Sequence, residues 1–364
     1  MIKVDYSLLD GKDTHQLTAK DKHLSWFLEQ VQKKCKWNRK ITRKDYLIQM
    51  LKLDKTKDFV EQIKPYLFFD EKEIKREGNC RTLLENLIAK HDAELRGIKR
   101  ANKHVPKEGM IKKRTSHLLE AFGYEDFNGK HVRDGKWDAY KLCEILKIDV
   151  CPYCNRQYIF TVRNEKNHCL TRPEIDHFYP KDIYPYLSCN LYNFIPSCHT
   201  CNNSKSDKDE AKSMVYPYDE DFGDNGVFRA KINGTNIDVN EFFEGKLDEN
   251  KIKLAIVSNN DKVDKSKKIL HLEEIYNMHR LDLLDFLNRY KNYSDPERRF
   301  FAKLFESAIN AKKIDESQMN YFFDVISKQL EKQILGMHDV PDGKQYPLKK
   351  MKEDLKKQLD GNLK

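Results

Sequence analysis

From Leu17 to about Phe127, apolar residues recur every three or four positions in HLSWFLEQVQKKCKW, RKDYLIQMLKL, RTLLENLIAKHDAEL and SHLLEAFGY, with charged residues between them. This is the period of helices with one buried face, so the segment predicts a helical lobe. The pattern lapses in NGKHVRDGKW, read as a loop, and returns as a short helix in KWDAYKLCEILKI. β-Branched and aromatic residues then predict a strand over Tyr158–Val162, and further strands are predicted at EIDHF and NFIPS. CNNSKSDKDEAKSM opens a helix with Asn and Ser, where cap residues satisfy free amides.

After Tyr216, PYDEDFGDNG is a turn-rich linker, and the alternation in GVFRAKI and KIKLAIVS predicts a small β element. A second helical lobe begins near Lys265. In it, Ile269, Leu272, Ile275, Tyr276, His279, Leu283, Phe286, Leu287 and Tyr290 mark one face of one long helix, and further helices run to KKMKEDLKKQL. His279 on that face reads as a packed or capping residue. The resulting division is an N-terminal helical lobe over 1–134, a core over 135–215, and a C-terminal lobe over 216–364 with a small β element followed by helices.

Composition adds constraints. The chain has 364 residues, 39% hydrophobic and 34% charged, which is enough apolar material for a substantial core and argues against wholesale disorder. Its net charge of +9 suits a polyanionic partner, although a Lys-rich composition explains the charge equally well. The start, MIKVDYSLLDGKD, lacks the apolar core of a signal peptide, and no run approaches the length of a membrane span. A cytoplasmic protein without membrane partners is expected.

In such a reducing setting the nine cysteines point to metal rather than disulfides. Cys151, Cys154, Cys198 and Cys201 form two Cys-x-x-Cys pairs around a long insert, which is tolerable because loop closure costs grow only logarithmically. Four thiolates suit zinc and leave no open position for water, so the implied zinc is structural. The competing reading, four free buried cysteines, fits this spacing poorly. Cys35, Cys80 and Cys143 stand alone in helical segments and read as core. Cys169, Cys189, His168 and His199 lack partners at ligand spacing and rank below the pairs.

The segment PEIDHFYPKDIYPYLSCNLYNFIPSCHTCNNSKSD carries the remaining chemistry. Its Asp176-His177, Pro180, Asn193, Cys201-Asn202 and Lys205 make it resemble an HNH endonuclease, the ββα-metal class, in the variant with two flanking zinc knuckles. The resemblance covers less than a fifth of the chain. It implies an α+β, mainly helical protein whose central ββα-metal core with structural zinc is flanked by helical lobes. From the residues alone, Glu174 and Asp176 share one face of a strand, with His177 on the other unless the strand ends or bends there.

The resemblance implies hydrolysis of DNA phosphodiester bonds. Asp176 and Asn202 would hold one divalent cation, magnesium or manganese, through hard oxygens. His177 would be the general base, Asn193 would brace the histidine-bearing loop, and Lys205, one turn beyond Asn202, would face a phosphate. The final motif position is Asn202 rather than histidine, a family variant that keeps an oxygen ligand. Glu174 would either support a metal ligand or contact the cation itself as an alternative ligand, and Asn190 competes with Asn193 but looks like a turn.

The layout also resembles bacterial HNH effectors of phage defence, which work with an ATPase or regulatory subunit. In NGKHVRDGKW the glycine spacing is wrong for a phosphate-binding loop and no hydroxyl follows Lys136, so a nucleotide requirement would come from another protein. Cutting both strands from one-cation sites would need two copies, so a homodimer is expected. The basic segments KREGNCR, RGIKRANKHVPKEG and IKKRTSH are candidate phosphate contacts. Two alternatives stand beside the DNA endonuclease: a zinc-bearing module that binds nucleic acid without cleaving it, and an RNA-cleaving nuclease.

Overall fold

The structure, a computed structural model, describes residues 1–101, 108–129, 137–166, 168–206, 212–238, 241–242, 244–248, 251–293, 328, 332–336 and 345–360. Helices predominate, with small antiparallel sheets between them. The chain forms two compact units, Met1–Phe222 and Gly223–Lys364. The first unit therefore joins the stretches read as separate segments, 1–134 and 135–215, and the break lies inside the expected linker.

The helices of the first unit are α1 (Ala19–Val31), α2 (Arg43–Met50), α3 (Phe59–Ile63), α4 (Glu71–Glu77), α5 (Cys80–Ala101), α6 (Glu108–Phe122), α7 (Tyr124–Asn128) and α8 (Ala139–Leu146). Local signals fix their starts. Thr18 and Thr42 each accept from the third backbone N–H of α1 and α2, while Asp21 and Asp45 bond back to the cap residue. The α1 face carrying Trp26, Phe27 and Val31 is buried, as is Leu47 of α2. Cys35, Cys80 and Cys143 are buried, in line with the core role expected of them.

After α8 come β1 (Val162–Arg163), β2 (Cys169–Thr171), β3 (Glu174–His177), β4 (Phe194–Ser197) and α9 (His199–Lys205). The strand expected over Tyr158–Val162 is shorter: Tyr158 makes one isolated bridge to Val150, and regular pairing begins at Val162. β3 and β4 pair antiparallel, Glu174 with Ser197 through His177 with Phe194, and β4 is buried throughout. α9 ends where Ser206 turns to positive φ, so the helix from CNNSKSDKDEAKSM is cut short and residues 207–211 lie outside the described set. The loop over 130–136 lies outside it too, as do the side chains of RGIKRANKHVPKEG.

In the second unit β5 (Gly226–Ile232) lies between β6 (Thr235–Asn236) and β7 (Lys253–Ser258), close to the expected β element. The one long helix read over 269–290 is instead α10 (Asp261–Ile269), α11 (Leu272–Asn277) and α12 (Arg280–Tyr293), broken at His271, which has φ 51°, and again at Met278 and His279. The cause is polar. Glu273 and Asn277 of α11 turn toward the outer edge of β7, where Asn277 bonds both backbone groups of Leu254 and Glu273 accepts from Ile256 N. Along the far edge of β5, Asp354 and Gln358 of α13 (Lys349–Leu359) do the same for Phe228 and Ala230. Unpaired strand edges invite association, and helical side chains seal these. His279 bonds Asp282 near the start of α12, as a capping residue would.

Candidate active site and cysteine cluster

The two knuckles meet. The sulfur atoms of Cys151, Cys154, Cys198 and Cys201 all lie within 4.8 Å of one another, and all four side chains are buried. The Cys154–Cys198 separation of 4.0 Å is far from a disulfide and close to the edge of about 3.8 Å in a tetrahedron of zinc–sulfur bonds. Backbone N–H groups of Cys198 and Cys201 point at the sulfurs of Cys151 and Cys198, each at 3.4 Å, as needed to stabilise thiolates. Hydrogen bonds from the neighbouring thiols hold Cys154 well below the ordinary range, while burial pushes Cys151 up. Four buried thiols this close cannot all ionise without a cation, and the donor set fits zinc. Cys169, Cys189 and His199 are not in this cluster. Cys189 is buried against Phe122 O, and His199 is exposed and bonded to Glu174.

The cluster anchors both ends of the neighbouring site. Cys198 caps α9 and Cys201 lies within it, so the sulfurs fix the helix that carries Asn202 and Lys205. On the other knuckle, Tyr153 is wholly buried and donates its hydroxyl to Asp176 Oδ2 at 2.5 Å. No sequence signal marks Tyr153 beyond its place between two cysteines, and sequence reasoning missed it.

A cleft of about 770 Å³ runs over this frame, with Glu174, Asp176, His177 and Asn202 among its lining residues. The strand ends at His177, which lets the histidine and the carboxylates of β3 reach one cleft despite alternation. His177 Nε2 donates to Ser188 O at 3.0 Å, which fixes the tautomer and leaves Nδ1 as the basic nitrogen. Burial pushes the imidazole down to about 3, so it is neutral. Tyr124 and Phe194 meet the ring edge-to-face at 4.8 and 5.3 Å.

Glu174 accepts from Asn202 Nδ2 at 2.7 Å, which turns the amide so that Oδ1 is its ligand atom, and pairs with His199 at 2.8 Å. Burial opposes ionisation of Glu174, but these two hydrogen bonds outweigh it and hold the carboxyl below its usual value. Glu174, Asp176 and Asn202 thus offer hard oxygens of the kind magnesium and manganese take.

Asn193 behaves as a brace. Its Oδ1 accepts from Tyr179 N, and its Nδ2 donates to Tyr179 O and Leu187 O, pinning the loop that follows His177. Asn190 caps the turn at Tyr192 N, as its alternative reading implied.

Lys205 differs from expectation. Its side chain is fully buried, and its ammonium donates to Asp176 Oδ1 at 3.1 Å and to His177 O at 2.5 Å. The position one turn beyond Asn202 puts Lys205 on the inner side of α9, where β3 offers a carboxylate. It cannot reach a phosphate in this state.

No family model matches the chain, and no solved structure matches it. The curated Septu protein PtuB of Bacillus thuringiensis is 45% identical over 42 residues, 12% of this chain and 16% of that protein. Among the described residues no helix is long and apolar enough to cross a membrane.

Proposed function

We propose that this chain is a metal-dependent endonuclease that hydrolyses DNA phosphodiester bonds and serves as an effector of bacterial anti-phage defence. The observation that carries the reading is the convergence, in one cleft, of a neutral buried imidazole with two carboxylates and an amide oxygen. Phosphodiester hydrolysis needs a base for the attacking water and positive charge for the phosphate oxygens.

His177 is the base. With Nε2–H committed to Ser188 O, it takes the proton at Nδ1, and the carbonyl then steadies the imidazolium. Asp176 and Asn202 are the residues that would hold a divalent cation, with Glu174 orienting the amide. Such a cation, when bound, supplies charge stabilisation to the phosphate and the departing oxygen. Tyr153 and Lys205 hold the Asp176 carboxylate in place, and Asn193 keeps the loop after His177 in register.

The short likeness to Septu protein PtuB supports the defence setting. An ATPase or regulatory subunit would then be the partner, and two copies of this chain would be needed to cut both strands. One observation favours a second reading, binding without cleavage: the ammonium of Lys205 already neutralises part of the charge that Asp176 would offer to a cation.

Supercoiled plasmid decides between them. Wild-type protein with magnesium or manganese is expected to nick it, and His177→Ala carrying the same zinc content is expected not to. Equal nicking by both proteins would remove His177 from the chemistry; binding without nicking in either would favour the second reading. An RNA of matched length in the same assay tests the RNA alternative.

A further inference from the structure

The cleft leaves unexplained a basic face elsewhere in the Met1–Phe222 unit. The turn between α1 and α2, KKCKWNRK, turns Trp37 outward with 36% of its surface exposed, whereas Trp26 and Trp137 are each 8% exposed. The Trp37 indole lies flat on the His117 imidazole of α6, centroids 3.9 Å and planes 8° apart, and Tyr46 meets its edge at 4.9 Å. This stacking fixes the orientation of a large aromatic that burial does not hold.

Cations flank it along the turn and on α6. Lys34, Arg39, Lys40, Lys113 and Arg114 are exposed, and none pairs with a carboxylate among the described residues. Lys113 and Arg114 precede His117 by one turn of α6, on the same side of the helix. Nearby acids are engaged elsewhere. Asp126 pairs with Arg43 and Lys33, Asp45 caps α2, Glu120 accepts from Lys36 N, and Glu125 lies 4.0 Å from Lys36. α6 runs about 8 Å from His117 to Phe122, and Tyr124 just beyond it lines the cleft wall.

We propose that this face is an accessory site for an unpaired nucleic-acid strand, with the cations on its phosphates and Trp37 stacked on one base. A base can cover an indole face when it is free of a duplex stack, and such stacking is indifferent to sequence. The proposal rests on the nucleic-acid reading above but not on cleavage.

The test is binding of a fluorescent twenty-nucleotide oligo-dT in magnesium-free buffer. Trp37→Ala is expected to weaken binding roughly tenfold, with Trp37→Phe recovering most of the loss. R39E/K40E is expected to flatten the salt dependence. Tryptophan emission should fall on adding oligo-dT to wild type and stay constant in Trp37→Ala, because the other two indoles are buried. Unchanged affinity in Trp37→Ala, or tighter binding of a duplex of equal length than of oligo-dT, would overturn the proposal. Plasmid nicking measured in parallel separates the two claims: Trp37-dependent binding without nicking removes the nuclease alone, and nicking with Trp37-independent binding removes this site alone.

Discussion

Replacing Lys205 by methionine probes the centre of the site through stability. The Lys205 and Asp176 side chains are 0% and 5% exposed, and the ammonium also satisfies His177 O. Methionine fills similar volume but leaves a buried carboxylate without its cation and a carbonyl without its donor. Breaking a buried ion pair from one side costs about 3–5 kcal/mol, whereas a solvated phosphate-facing lysine would cost less than about 0.5 kcal/mol. Neutralising the orphaned partner should therefore restore much of the loss. K205M/D176N, which keeps an oxygen for the Tyr153 hydroxyl, is expected to be about 2 kcal/mol more stable than K205M alone. The assay is urea unfolding of the zinc-loaded protein followed by tryptophan emission. Trp26, Trp37 and Trp137 all lie in the Met1–Phe222 unit, so the signal reports that unit alone. A K205M protein within about 0.5 kcal/mol of wild type, or a double mutant at the sum of the single losses, would refute the buried pairing.

Cys151→Ser or Cys201→Ser should lose zinc and unfold the core, because structural zinc contributes folding energy directly; retained metal by elemental analysis, with unchanged circular dichroism, would contradict this. His177→Ala should abolish plasmid nicking at the cost of about 1–3 kcal/mol of stability, since Ser188 O loses its donor; full activity in the variant would rule out the base. His23 gives a pH signature. Burial pushes it down to about 4 from an ordinary 6.5, and it is held neutral between Trp137 Nε1 and Cys189 O. The unfolded chain therefore binds more protons in that window, so stability is complete above about pH 6.5 and falls by on the order of 3 kcal/mol as pH drops toward 4. His177, pushed down by burial in the same way, adds to the fall, so His23→Gln should reduce that slope in urea titrations at successive pH values without abolishing it, and an unchanged slope would remove His23 from it.

Legibility in the sequence followed the range of the interactions. The helical periodicity of the α1 and α2 segments and the strands over GVFRAKI and KLAIVS are set by neighbours within a few residues, so the pattern of apolar positions located them, while the caps at Thr18 and Thr42 were seen only in the structure. The cysteine cluster was legible because ligand spacing is local in each pair and chemistry demands that the pairs meet. Long-range polar contacts were not. Glu273 and Asn277 sit in a run with helical periodicity, and nothing local reveals that they serve the β7 edge and break the helix there. Tyr153 and the buried pairing of Lys205, which was read as phosphate-facing, escaped for the same reason, as each is defined by the distant carboxylate of Asp176. The Trp37–His117 stack likewise joins a turn to a helix far along the chain.

These long-range contacts explain how a small ββα element keeps its geometry. β3 and β4 are four residues each, too short to fix the side-chain positions of the cleft through their own ladder. The cysteines fix α9 and the first knuckle in space, the knuckle carries Tyr153, and α9 carries Lys205. Both side chains then grip Asp176 from opposite knuckles, while Asn193 and Ser188 O hold the loop and ring of His177. Frame and site are thus coupled through Asp176. Removing zinc should displace the carboxylate as well as loosen the fold, whereas altering His177 should leave the cysteine cluster undisturbed.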